Sequence, residues 1–195
     1  MRLTPDFFAR ETLIVARDLL GQRLVRLVEG RRVAGRIVEV EAYIGQDDQA
    51  SHARCGPTAR NAAMFGPPGH AYVYLIYGMY HCLNVVTERE GYPAAILLRA
   101  LQPLEGLDVM RELRDGRPER ELANGPGKLC QALYVDRRFD GVDMCRPESL
   151  LFIEQDAGIL EENVATGPRI GVRGDEAALT AAWRFYVRDH DCLSR

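Results

Sequence analysis

The sequence predicts an α+β fold, an antiparallel sheet with helices packed around it. Three observations carry that prediction. β-rich runs follow one another across very short turns. Helical stretches sit at the start and in the middle of the chain. No internal repeat or long linker interrupts the 195 residues. Successive strands with tight connections pair antiparallel, and this length suits a single domain covering 1–195.

Thr4-Pro5-Asp6 marks a helix start, with Thr as the cap and Pro at the first helical position. Phe8, Leu13, Ala16, Leu19 and Leu20 then recur near helical spacing until Gly21 supplies a stop. From there the period changes to that of strands. Residues 23–28 and 33–44 are β-rich runs on either side of Glu29-Gly30-Arg31-Arg32, a hairpin signal. Residues 71–76 and 80–87 flank Tyr77-Gly78-Met79, a second tight connection, and 94–101 follows the turn Glu88-Arg89-Glu90-Gly91. Residues 104–113 and 128–134 are expected helices, the latter entered through Gly125-Pro126-Gly127. Residues 150–154, 169–172 and 183–188 are expected as late strands.

Composition excludes several classes. With 47% hydrophobic and 27% charged positions, the chain is neither disordered, collagenous nor a coiled coil. No stretch nears the roughly 20 apolar residues of a membrane span, and the start of the chain lacks a secretory signal's apolar run. Five cysteines at wide spacings do not form a disulfide framework. A reducing, cytoplasmic setting is the expectation. The net charge of −3 does not itself imply a nucleic-acid partner, but its distribution is uneven. Of 25 basic residues, 24 are Arg and only Lys128 is Lys. No Asp or Glu occurs from Gln49 to Thr87, whereas 139–195 holds eleven acids against six arginines. An acidic protein can thus present one partly basic face. Exclusion of carboxylates by an apolar core accounts for the same pattern.

Two stretches are chemically informative. In Val38-Glu39-Val40-Glu41-Ala42-Tyr43, alternation places Val38, Val40 and Ala42 on one strand face and Glu39, Glu41 and Tyr43 on the other. That second face is either solvated or lines a cleft, where a strand-borne carboxylate makes a well-held general base. The run 71–84 contains four tyrosines within nine residues, two of them bracketing the Gly78 turn. Hairpin tips normally carry Asn, Asp or Gly. Large side chains there suit stacking on bases or wedging between them; packing into the core is the alternative. Other chemistries fail on spacing. The chain has no CxxC, HExxH or GxSxG, and Gly127-Lys128 is followed by Leu129, which breaks the phosphate-loop pattern. His70, His81 and His190 are expected to be structural or surface residues.

Taken in order, these stretches closely resemble the alkyladenine (3-methyladenine) DNA glycosylase family, of the monofunctional mammalian and bacterial type. The match runs through 35–43, 72–80, Cys82-Leu83-Asn84, 97–103, 125–132 and 184–188, nearly the whole chain. The resemblance implies a curved sheet with a protruding hairpin, and an enzyme that flips a damaged purine out of duplex DNA and hydrolyses its N-glycosidic bond. It implies Glu41 as the carboxylate activating water, with Arg99 nearby. It implies Tyr43, His52 and Tyr74 as walls around the flipped base, and Asn84 as the residue that crowds normal guanine. Tyr77 would enter the helix with Met79 beside it, and Arg54, Arg60 and Lys128 would contact DNA. No cofactor and no metal are implied, and the partner is double-stranded DNA bound by a monomer. One departure is local: the loop from His52 to Thr58 is one residue shorter than in familiar members, with Pro57 where a basic residue is expected. A strand-cutting lyase needs an amine nucleophile, and the single Lys128, in a helix entry, argues against one. The rivals are a non-catalytic nucleic-acid-binding module and a hydrolase of free nucleosides.

Overall fold

The computed structural model describes residues 1–194. Five α-helices surround one curved, unclosed sheet of eight strands, all of whose pairings are antiparallel. In chain order these are α1 (Pro5–Phe8), α2 (Thr12–Leu19), β1 (Arg23–Val28), β2 (Arg31–Ile44), β3 (Ala71–Ile76), β4 (Tyr80–Val86), β5 (Ala94–Glu105), α3 (Leu107–Leu113), α4 (Pro126–Ala132), β6 (Leu151–Glu154), β7 (Val164–Gly167), α5 (Glu176–Thr180) and β8 (Arg184–Val187). The expected α+β class is therefore found. Strands run in the order β3-β4-β5-β2-β1-β6. The 14-residue β2 is the spine. One of its edges pairs with β5, while the other takes β1 along 31–36 and then β8 along 39–41.

Several elements depart from the expected boundaries. The first helical stretch is two helices, because the chain breaks at 9–11 and a distant residue caps the second. Glu88 Oε1 accepts the Thr12 N–H at 3.1 Å and the Thr12 hydroxyl at 2.8 Å. Helix α3 starts three residues late because β5 runs on to Glu105 and Gly106 turns the chain at φ 69°. No strand forms at 169–172. Pro168 ends the ladder after β7, and Arg169 turns inward to polar partners described below. Helix α5, capped by the Asp175 side chain, was not anticipated.

Residues Leu19, Leu24, Ile37, Val40, Leu83, Ile96, Leu98 and Leu129 belong to one core cluster. A smaller cluster of Ala53, Met64, Tyr72, Val86 and Ala95 packs with Tyr43 and Tyr74. Between β2 and β5 the register slips three times, with Leu104, Val38 and Arg99 as the extra residues. Bulges of this kind re-aim side chains. The expected face of Val38, Val40 and Ala42 is corrected accordingly: Val40 and Ala42 join Ile37 in the main core, whereas Val38 packs with Ala100 and Cys192.

Candidate active site

Cross-strand register assembles the site. Tyr72 stands opposite Asn84, Asn84 opposite Leu97, and Leu97 opposite Glu41, so these residues form one transverse row on β3, β4, β5 and β2. Directly opposed residues share a sheet face, which sets Asn84 and Glu41 on the same side at two strand spacings, about 10 Å. Tyr74, two residues along from Tyr72, joins that face. The alternation of β2 contributes Tyr43.

Glu41 is fully buried. Its Oε1 accepts the Ile170 N–H at 2.7 Å and lies 3.1 Å from Arg99 Nη1, and its Oε2 accepts the Tyr43 hydroxyl at 2.9 Å. A carboxylate has about four lone-pair sites; two hydrogen bonds, with Arg99 beside them as an ion-pair partner, leave capacity for a water. Arg99 reaches it because the bulge on β5 releases that residue from the ladder. Burial alone lowers the Arg99 guanidinium, but Glu41 and Glu39 outweigh it and hold it above its usual range. Glu39, the other acid on this face, is also fully buried, so the solvated reading of the face does not stand.

A cavity of about 240 Å³ opens beside this group, lined by Tyr43, His52, Arg54, Tyr74, Asn84 and Arg173 among others. Glu41 does not line it; Tyr43 does, and carries the hydroxyl that touches Glu41. Burial, then the charge on Glu41, push the Tyr43 phenol well above its usual pKa, so it stays a donor. His52 Nδ1 lies 2.8 Å from the Tyr72 hydroxyl, and the His52 ring meets Tyr74 edge-on with centroids 4.5 Å apart. Burial, then Arg60 and Arg54, lower the His52 pKa and keep the ring neutral near pH 7. Asn61 fastens the short loop by donating to the carbonyls of His52 at 2.8 Å and Gly56 at 3.0 Å. The Asn84 amide is fixed by donation to the Tyr72 carbonyl at 3.0 Å.

The hairpin of β3 and β4 projects at the cavity's edge. Tyr77 (φ 54°) and Gly78 (φ 70°) occupy the centre of a turn closed by the Met79 N–H on the Ile76 carbonyl at 3.2 Å. Tyr77 is 82% exposed and Met79 65%, which excludes core packing for both. A bulky residue with positive φ is strained, and such strain concentrates at functional positions. Arg54 and Arg60 bond the backbone carbonyls of Gln49 and Leu75 rather than carboxylates, and Arg60 also lies over Tyr74. Lys128 stands apart from the cavity. It donates to Asn124 Oδ1 at 2.9 Å in a groove on α4 that Tyr77 and Tyr80 also line.

The sequence pattern does not show how 168–173 is fastened. Arg169 and Asp48 form a fully buried ion pair at 2.6 and 2.8 Å, and Arg169 also donates to the Ala42 carbonyl at 2.9 Å. Its guanidinium lies 4.7 Å from the Tyr43 ring and 5.0 Å from that of Trp183. This clamp holds the neighbouring Ile170 N–H on Glu41. No local pattern announces it, since the two partners are 121 residues apart.

A family model described as methylpurine-DNA glycosylase matches residues 6–191. The chain is 52% identical to a relative from Methanocella arvoryzae over 99% of this chain and 96% of that one, and 45% identical over the full length of both to one from Alkaliphilus oremlandii. It is 51% identical to a relative from Anaeromyxobacter dehalogenans over 100% of this chain and 86% of the other. Each is named "Putative 3-methyladenine DNA glycosylase". By class this is a DNA-repair hydrolase, a DNA glycosylase. The chain belongs to the methylpurine-DNA glycosylase family.

Proposed function

We propose that the protein extracts alkylated purines such as 3-methyladenine and 7-methylguanine from duplex DNA, with hypoxanthine and etheno-adenine as further substrates, and hydrolyses the N-glycosidic bond with a water activated by Glu41. The observation that carries this reading is the placing of a fully buried carboxylate, held by two hydrogen bonds and an arginine ion pair, against an aromatic cavity beside an exposed, strained hairpin tip. In the reaction the water oxygen bonds to the sugar C1′, the glycosidic electron pair leaves with the base, and Glu41 takes the water's proton. General-base help of this type contributes about 10²–10⁴-fold. A cationic alkylpurine leaves as a neutral base, so a single carboxylate serves where O-glycosidases use two.

Selectivity follows from terms of similar size. Flipping costs a few kcal/mol and least for damaged bases, stacking returns about 1–3 kcal/mol per base, and tyrosine faces attract a cationic purine by about 0.5–2 kcal/mol. Neutral His52 adds no repulsion to that cation. Tyr77, with Met79, fills the vacated stack; Arg54, Arg60 and, on the hairpin's other flank, Lys128 take phosphates; the pinned Asn84 crowds the 2-amino group of guanine. The protein acts as a monomer and without lyase activity, for its lone lysine bonds Asn124 outside the cavity. Base release from duplexes carrying each lesion is the test. Release of methylated purines without strand cleavage is expected, and a borohydride-trapped covalent adduct would overturn the lyase-free reading.

A further inference from the structure

Glu39 takes no part in the reaction as proposed, yet it is fully buried and four donors converge on it. The Ser194 N–H reaches Oε2 at 2.7 Å, and Oε1 takes the Ser194 hydroxyl at 2.8 Å, Arg99 Nε at 3.1 Å and Arg184 Nη1 at 3.2 Å. Arg99 is divided among three neighbours: Nε on Glu39, Nη1 on Glu41 and Nη2 donating to the Ser194 hydroxyl oxygen at 2.9 Å. We infer that Glu39 and Ser194 are positioning residues, which hold Arg99 between two carboxylates and so share its charge at the point where Glu41 takes the water's proton.

The electrostatics support that role. A guanidinium facing one carboxylate alone depresses its proton affinity by about 1–3 pH units, and a weaker base is a poorer catalyst. Glu39 supplies a second negative charge on the far side of Arg99, offsetting that pull. The other groups facing the site do not supply one. Tyr43 on β2 and Cys82 on β4 are held neutral by burial, Arg184 on β8 pairs with Glu39, and Arg169 is neutralised by Asp48. Ser194, on the segment after β8, ties both sides of the pair and fixes the plane of the guanidinium.

This inference rests on Glu41 acting as the base. Its test is single-turnover base release from 7-methylguanine duplex against pH, for the wild type, Glu39→Gln, Ser194→Ala and Ser194→Thr, with duplex affinity measured in parallel. In Glu39→Gln the acid limb is expected to move to lower pH, because a neighbouring negative charge is lost, and the plateau rate to fall, with affinity unchanged. Ser194→Ala is expected to slow release several-fold at unchanged affinity, and Ser194→Thr to restore it. A folded Glu39→Gln with the wild-type limb and plateau overturns the inference. Should that variant not fold, wild-type release by Ser194→Ala does the same. A wild type inactive on every lesion overturns the base-excision reading instead.

Discussion

Replacing Tyr77 with Asn should make the protein more stable and worse at holding damaged DNA. Tyr77 sits at φ 54° with 82% of its surface exposed, so its ring returns little packing for its strain. The left-handed conformation costs an ordinary L-residue about 1–2 kcal/mol, and Asn adopts it far more readily. A net gain of about 1 kcal/mol is expected, which for a chain of this size raises Tm by about 2–4 °C. Tyr77→Gly should gain less, since glycine's unfolded-state freedom takes back about 0.5–1 kcal/mol. Loss of the aromatic plug removes about 1–3 kcal/mol of stacking, roughly a 5- to 150-fold loss of affinity for damaged duplex. Thermal unfolding followed by circular dichroism gives the first quantity, and fluorescence anisotropy with a labelled etheno-adenine duplex the second. A Tm that falls while affinity stays at the wild-type value would refute both the strain and the wedge.

The other predictions concern the walls of the site. Asp48→Ala strands the buried Arg169 charge, and losing one partner of such a pair costs about 3–5 kcal/mol; Tm should drop by about 6–20 °C, and adding Arg169→Met should recover part of it. An Asp48→Ala unfolding midpoint within about 1 °C of wild type would contradict the clamp. An NMR titration of His52 should give a midpoint below the usual imidazole value of 6.5, moving up in Arg60→Ala. Because this folded-state pKa is lowered, the His52 contribution to stability is intact above about 6.5 and is lost as pH falls toward the folded midpoint. A midpoint at or above 6.5 would show that burial does not govern this ring.

Much of the fold was legible because its signals are local. The ends of β1 and β3 agree with the alternating runs, and Glu29-Gly30 closes the β1–β2 hairpin with positive φ at both residues. What the sequence concealed depends on partners far along the chain. Glu88 caps α2 from 76 residues away, and Arg169 leaves the strand pattern to meet Asp48. The bulges at Val38 and Arg99 arise from pairing of β2 against β5, so Val38 could not be told from Val40 nor Arg99 from its ladder neighbours. Burial of Glu39 and Glu41 was equally hidden, because a charged strand face has the same alternation whether water or protein covers it. The roles of Glu41, His52 and Asn84 came from the family resemblance, not from periodicity.

The proposed chemistry rests on one acid, Glu41, making the attacking water reactive. Glu41→Gln keeps the shape and most of the contacts but removes the base. Single-turnover release of 7-methylguanine should fall at least about 10²-fold, with affinity for the damaged duplex near that of the wild type. Release by Glu41→Gln at the wild-type rate would contradict the account.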